Sequence, residues 1–164
     1  MKIKISKEAL LHDISNLAYV IADVHCEANP HARHQLTDIC QEGNIDRVAR
    51  ILGLACSVVR MALAPVLKKS CSQRLLSDFY YRPRDYVFEI DSGKFRRHPL
   101  ELATLIHEYM VWRVIAEWLA VTMPEVSLLW KEKAKMISEK ISQTVADALW
   151  ETEAGSRVRP LSPF

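Results

Sequence analysis

The stretch HPLELATLIHEYMVWRVIAEWLAVTMPEVSLLWKEKAKMISEKI, residues 98–141, decides the fold. Pro99 suits the first turn of a helix, where a missing N–H costs nothing. From Leu100 to Val121 the apolar residues point almost every way round a helical wheel, as in a helix buried among others. Thr122-Met123-Pro124-Glu125 ends that helix and opens another. The second helix gathers Val126, Trp130, Ile137, Ile141, Val145 and Leu149 on one arc. Lys131, Lys135, Glu139 and Ser142 lie on the opposite arc, and Gly155 is expected to stop it. Two helices joined by so short a turn pack antiparallel.

Three more helices are expected upstream. Ser6 can cap the first, whose stripe is Leu10, Ile14, Leu17, Ile21 and Val24. Asn29-Pro30 is a stop and a restart. A short helix through Leu36 and Ile39 follows, with Gly43 a natural left-handed cap. Asn44 can cap the third, where Ile45, Val48, Leu52, Ala55, Val59, Ala62 and Val66 alternate by three and four. Pro65 should end it. Between the halves, DFYYRPRDYVFEIDSGKF (78–95) is aromatic and β-branched, with a turn signal at Asp91 to Gly93. This predicts a short β-hairpin or extended arm near 79–95, which needs a partner surface to be stable. The fold class is therefore all-α, about five helices with a minor β element. Residues 1–154 form a single helical domain and 155–164 an extended basic tail.

Composition agrees. A chain of 164 residues can bury one core, and 49% hydrophobic with 26% charged residues is globular rather than disordered. A formal net charge of +2 gives no global argument for nucleic acid or membrane. No signal peptide opens the chain and no apolar run is long enough to span a bilayer, so a cytoplasmic protein is expected. Cys26, Cys40, Cys56 and Cys71 are widely spaced and read as free thiols.

His107-Glu108 opens like H-E-x-x-H, but the second histidine of that motif falls on Val111. His107 therefore reads as a core or half-buried histidine. His25, Cys26, His31, His34 and Cys40 are zinc-competent residue types. Their spacing matches no common finger, and Pro30 separates the two halves. No metal site and no cofactor is expected. Neither G-x-x-x-x-G-K, G-x-G-x-x-G nor G-x-S-x-G occurs, and nothing marks a nucleophile activated by a base, so no catalytic residue is assigned. Arg82, Arg84, Lys94, Arg96 and Arg97 flank the aromatic segment, and Arg157 and Arg159 lie in the tail. These seven are the candidate interface or DNA-facing residues. Asp85, Glu89 and Asp91 interleave with them, which favours a solvated hairpin. Surplus aromatic residues between Phe79 and Trp130 suit a core or an oligomer interface.

The quoted helix pair, with HQLTD (34–38) and IDRVARILGLACSVVRMALAPVL (45–67) before it, resembles small helical proteins of phage and prophage virion modules. The similarity is to the head–tail connector or head-completion type of Mu-like prophages, and to Bacteroides-type proteins with an extended aromatic segment before the same pair. It covers residues 35–67 and 96–145. APVLKKSCSQ (64–73) departs from the arginine- or tyrosine-rich end usual for the third helix, and the first thirty-odd residues have no counterpart. The resemblance implies a non-enzymatic structural protein that self-associates or joins a portal-type partner, free in the cytoplasm or assembled into a virion. It identifies no functional residue. The alternative is a small helical regulatory or nucleic-acid-binding module.

Overall fold

The computed structural model describes residues 1–25, 30–68, 83–95 and 99–157, with side chains as far as Thr152. Strand β1 (Lys2–Ser6) leads into α1 (Lys7–His25). Next come α2 (Pro30–Thr37), a 3-10 turn (Asp38–Cys40) and α3 (Ile45–Leu63). Strand β2 (Asp85–Glu89) precedes α4 (Pro99–Thr122) and α5 (Pro124–Arg157). Among the described residues the architecture is all-α, five helices with a minor two-stranded antiparallel sheet.

The strand expected near 79–95 is present, and its partner is the N-terminal segment rather than a local hairpin strand. Ile3 lies opposite Phe88 and Ile5 opposite Tyr86. The sequence KIKIS alternates with period two, so both isoleucines enter the core while Lys2 and Lys4 stay outside. On the outer face Lys4 Nζ lies 3.0 Å from Asp85. The Asp91–Gly93 turn does form, with Gly93 N–H donating to Asp91 Oδ1 at 2.9 Å, but it leads out of the sheet toward α4. The Ser6 hydroxyl accepts from Ala9 N–H at the start of α1.

The helices follow their stripes. Leu36 and Ile39 are fully buried on α2 and the 3-10 turn. On α3, Val48, Leu52, Ala55 and Val59 are buried, and the helix ends two residues before Pro65. Two end signals act differently from expectation. Gly43 sits in a turn without a left-handed backbone, and a Cβ there would meet nothing within 4 Å. Asn44 precedes α3, but its Nδ2 donates to the Asp38 carbonyl at 2.9 Å instead of its side chain capping the helix. α5 also runs through Gly155 to Arg157. A single glycine weakens a helix without forbidding it.

α4 is the centre of the molecule, packed by α1, α2, α3, α5 and β1. Its apolar residues face most ways round because it has neighbours on most sides, while Arg113 and Glu117 keep a strip open to solvent. Leu102, Ile106, Met110, Val114 and Ala116 are completely enclosed. α5 folds back on it through Met123 alone. Ser127, Ala134, Ile141 and Ala148, seven residues apart, are the buried line of α5. Three of the four are small, which lets the two helices approach closely. At about 1.5 Å per residue, α5 is roughly 15 Å longer than α4. The excess passes the 91–95 turn, where the Thr152 hydroxyl lies 3.3 Å from the Lys94 carbonyl.

Candidate interaction surface

Of the seven residues marked as interface or DNA-facing, Arg84 and Lys94 have described side chains. Arg84 is exposed at the junction of β1 and α1, beside Lys7, Glu8 and Asp85 in an open groove of mixed charge. Its carbonyl accepts from Lys7 N–H at 3.0 Å. Lys94 is spent on structure: its Nζ donates to the Pro65 carbonyl at 3.3 Å. Arg82, Arg96, Arg97 and Arg159 lie outside the described residues, and so does the side chain of Arg157.

Among the described residues no three histidine, cysteine or acidic side chains converge on a point that could hold a metal ion. Cys26 and Cys71 fall outside them. Cys40 Sγ points to the Leu11 carbonyl at 3.5 Å, and burial pushes its thiol pKa up. A raised pKa lowers the thiolate fraction and with it nucleophilicity. Cys56 is fully buried. His107, half-buried on α4, meets Asp13 of α1 with Nε2 and Oδ2 2.7 Å apart. The pair fastens α1 to α4. The hydroxyls of Ser57, Thr104, Thr122, Ser142, Thr144 and Thr152 each donate to the carbonyl four residues back. Such back-bonded hydroxyls already serve as donors within their own helices.

A second, shallow cleft lies between the 3-10 turn and the end of α4, lined by Gln35, Asp38, Asn44, Trp118, Val121 and Thr122. Arg47 of α3 stacks 5.0 Å above the Trp118 ring and donates to the Glu117 carbonyl. The Trp118 Nε1 is buried and has no hydrogen-bond partner among the described residues. The ring is held by packing and by the guanidinium, not by its polar atom.

The most distinctive surface is the outward side of α5. Leu129, Met136 and Trp150 are 53%, 67% and 69% exposed. They are multiples of seven apart, and exposed Gln143 fills the vacant place. An α-helix drifts only about 20° per seven residues, so these four form one line. It runs opposite the buried line of Ser127, Ala134, Ile141 and Ala148, offset by two positions. Beside its start Trp112 and Trp130 meet edge to face, centroids 6.1 Å apart. Lys133 Nζ sits 4.2 Å over Trp130 and 5.9 Å over Trp112. Leu128 and Val121 add exposed apolar surface near the helix turn.

Lys131, Lys135, Glu139 and Ser142 make this the polar side expected from the sequence, with Leu129, Met136 and Trp150 set among them. The signal was legible: Leu129, Met136 and Trp150 stand outside the stripe that α4 uses, at their own regular spacing.

No protein-family model matches the chain, and neither do the curated proteins or the solved structures compared with it. No helix among the described residues is long and apolar enough to cross a membrane.

Proposed function

We propose that this protein is a non-enzymatic structural or assembly protein that works by self-association. The observation behind this reading is the line of large apolar side chains on the outward face of α5, which the fold does not use. Exposed apolar residues are ordinary when scattered, and become informative when they are regularly placed on one element. Leu54 and Met61, seven apart on the outer side of α3, repeat the pattern on a smaller scale. Among the described residues, the back-bonded helical hydroxyls and the raised Cys40 pKa also fit this reading.

A phage or prophage head–tail connector subunit is the specific form of this reading that the helix-pair resemblance suggests. In that setting head-to-tail contacts between other faces close a ring. The general reading needs only that copies associate. Light scattering across a hundredfold range of concentration tests it. A mass that rises above one chain supports self-association. A single-chain mass throughout, with no recruitment by a portal-type partner, overturns it.

A further inference from the structure

We propose that α5 is an isologous pairing surface, on which two copies of this chain pack antiparallel about a two-fold axis through Gln143. This rests on the self-association reading and names the face, orientation and register.

Within the outward line, Gln143 has an exposed apolar residue at equal distance on each side. Met136 lies seven residues before Gln143 and Trp150 seven after it, both exposed. A two-fold axis at Gln143 sets Met136 of one copy against Trp150 of the other, and repeats that contact by symmetry. Residue i then faces residue j and j faces i, as an isologous interface requires. A thioether against an indole edge is favourable, and methionine adapts its shape to the ring. The reach from Met136 to Trp150 is about 21 Å along the helix. Leu129 extends the line another two turns.

Charge fixes the orientation. Lys140 and Asp147 flank the line on one side, three residues before Gln143 and four after it. Gln143 Nε2 donates to Asp147 Oδ1 at 2.7 Å and holds the carboxylate beside the line. When a helix pairs antiparallel with its own copy, each flank meets itself reversed. Lys140 then comes beside Asp147 of the second copy, twice. In a parallel pair each flank meets the opposite flank, so Lys140 and Asp147 of the two copies would not come together. The paired Lys140–Asp147 contacts are therefore available only to the antiparallel arrangement. Gln143 at the axis meets its own symmetry mate, and a polar residue at a single core position specifies register.

The same charges disfavour other occupants. Glu132 and Glu139 lie on this side of α5 as well, and Lys135 Nζ is 3.8 Å from Glu139. These carboxylates alternate with Lys131, Lys135 and Lys140, so the face is mixed in charge rather than a basic surface for a nucleic-acid backbone or an anionic lipid. A single helix line lies at the low end of interface sizes, so the dissociation constant is expected to be roughly micromolar.

Sedimentation equilibrium of the full chain tests the proposal. The variants are Met136→Glu, Lys140→Asp, Asp147→Lys and the Lys140→Asp/Asp147→Lys double, each checked for an unchanged thermal melt. Met136→Glu and each single charge reversal should weaken dimerisation about tenfold or more. The double variant, which restores opposite charges across the axis, should recover most of the loss. If the wild type associates and none of the variants changes it, the α5 pairing is wrong while self-association stands on another face. If the double variant stays as weak as the singles, the antiparallel register is wrong. A wild type that remains a single chain overturns both the pairing and the broader reading. A single chain that binds duplex DNA or anionic vesicles, and loses that binding in Met136→Glu, assigns the face to another partner and overturns the pairing.

Discussion

Arg60, in the last turn of α3, donates from Nη2 to the carbonyl of Val87 at 3.2 Å, although only 3% of the residue is exposed. Its guanidinium also lies 5.3 Å from the Phe88 ring centroid. The pairing of β2 explains the contact. Met1 and Ile90 exchange both backbone bonds, so even-numbered residues of β2 face β1. Val87 and Glu89 turn their polar groups the other way. Glu89 is met by Lys68 N–H at 2.9 Å, and Val87 by Arg60. The arginine covers an edge that a two-stranded sheet would otherwise leave open.

Arg60→Ala should therefore destabilise the fold by about 2–3 kcal/mol, because it removes a charge-assisted hydrogen bond and leaves a carbonyl without it. Arg60→Lys keeps the charge but lacks the planar fork, so it should fall between. Arg50→Ala, on the exposed side of the same helix, should stay within about 0.5 kcal/mol of wild type. Urea unfolding measures all three. Equal effects at positions 50 and 60 would contradict the role given to Arg60.

The N-terminal strand makes a second contrast. Ile5 is 5% exposed and faces the core opposite Tyr86, while Lys4 points to solvent. Ile5→Ala should cost about 2–5 kcal/mol through lost burial and the cavity left behind. Lys4→Ala loses only an exposed ion pair with Asp85, a matter of at most about 1 kcal/mol. Thermal melts should show the first clearly and the second barely. If both are silent, the strand does not contribute to the folded state.

These contrasts mark where the sequence was readable. The helix pair from Pro99 onward was legible because Pro99 and Pro124 mark two first turns and Met123 alone separates the helices. The partner of β2 was not, because antiparallel pairing across about eighty residues leaves no local trace. At five residues, KIKIS is also too short for its period-two alternation to stand out beside the helical stripe that follows it. Gly43 was misread from residue type alone: a glycine after a helix is compatible with a left-handed cap without requiring one. Arg60 is one of several arginines on α3, and an amphipathic stripe does not show which flanking residue a neighbouring sheet will cover. The outward line of α5 was visible as spacing. Its meaning appeared only once Ser127, Ala134, Ile141 and Ala148 were seen to occupy the other side.

Gly43→Ala should be neutral or slightly stabilising. The backbone there is not left-handed and the space around the absent Cβ is open. Alanine would then act mainly on the unfolded chain, a gain of about 0.4–1 kcal/mol. Differential scanning calorimetry should show an unchanged or higher midpoint. A clear drop would mean the turn needs glycine after all.

The His107–Asp13 contact can be weighed by a double-mutant cycle with Ala at each position. Asp13 is half exposed, so solvent screens the pair, and a coupling energy of about 0.2–1 kcal/mol is expected. Zero coupling would reduce the contact to coincidence of position. The same two variants should leave the response of the melt to added zinc unchanged, since Val111 stands where the second histidine of a zinc motif would be.

Cys40 offers a test of chemistry rather than stability. Burial raises its pKa above the ordinary thiol value, so its thiolate is scarce in the folded state. The sign follows from proton binding: in the alkaline range the folded chain holds the Cys40 proton more tightly than the unfolded chain. That contribution to stability is complete below the unfolded thiol pKa and is lost as pH rises through the folded one. Alkylation followed peptide by peptide by mass spectrometry should show Cys40 reacting more slowly in native protein than in urea. Its native pH profile should be displaced upward. Native Cys40 that reacts as fast as in urea at neutral pH would show an exposed thiolate, and would reopen the question of a nucleophile on the 3-10 turn.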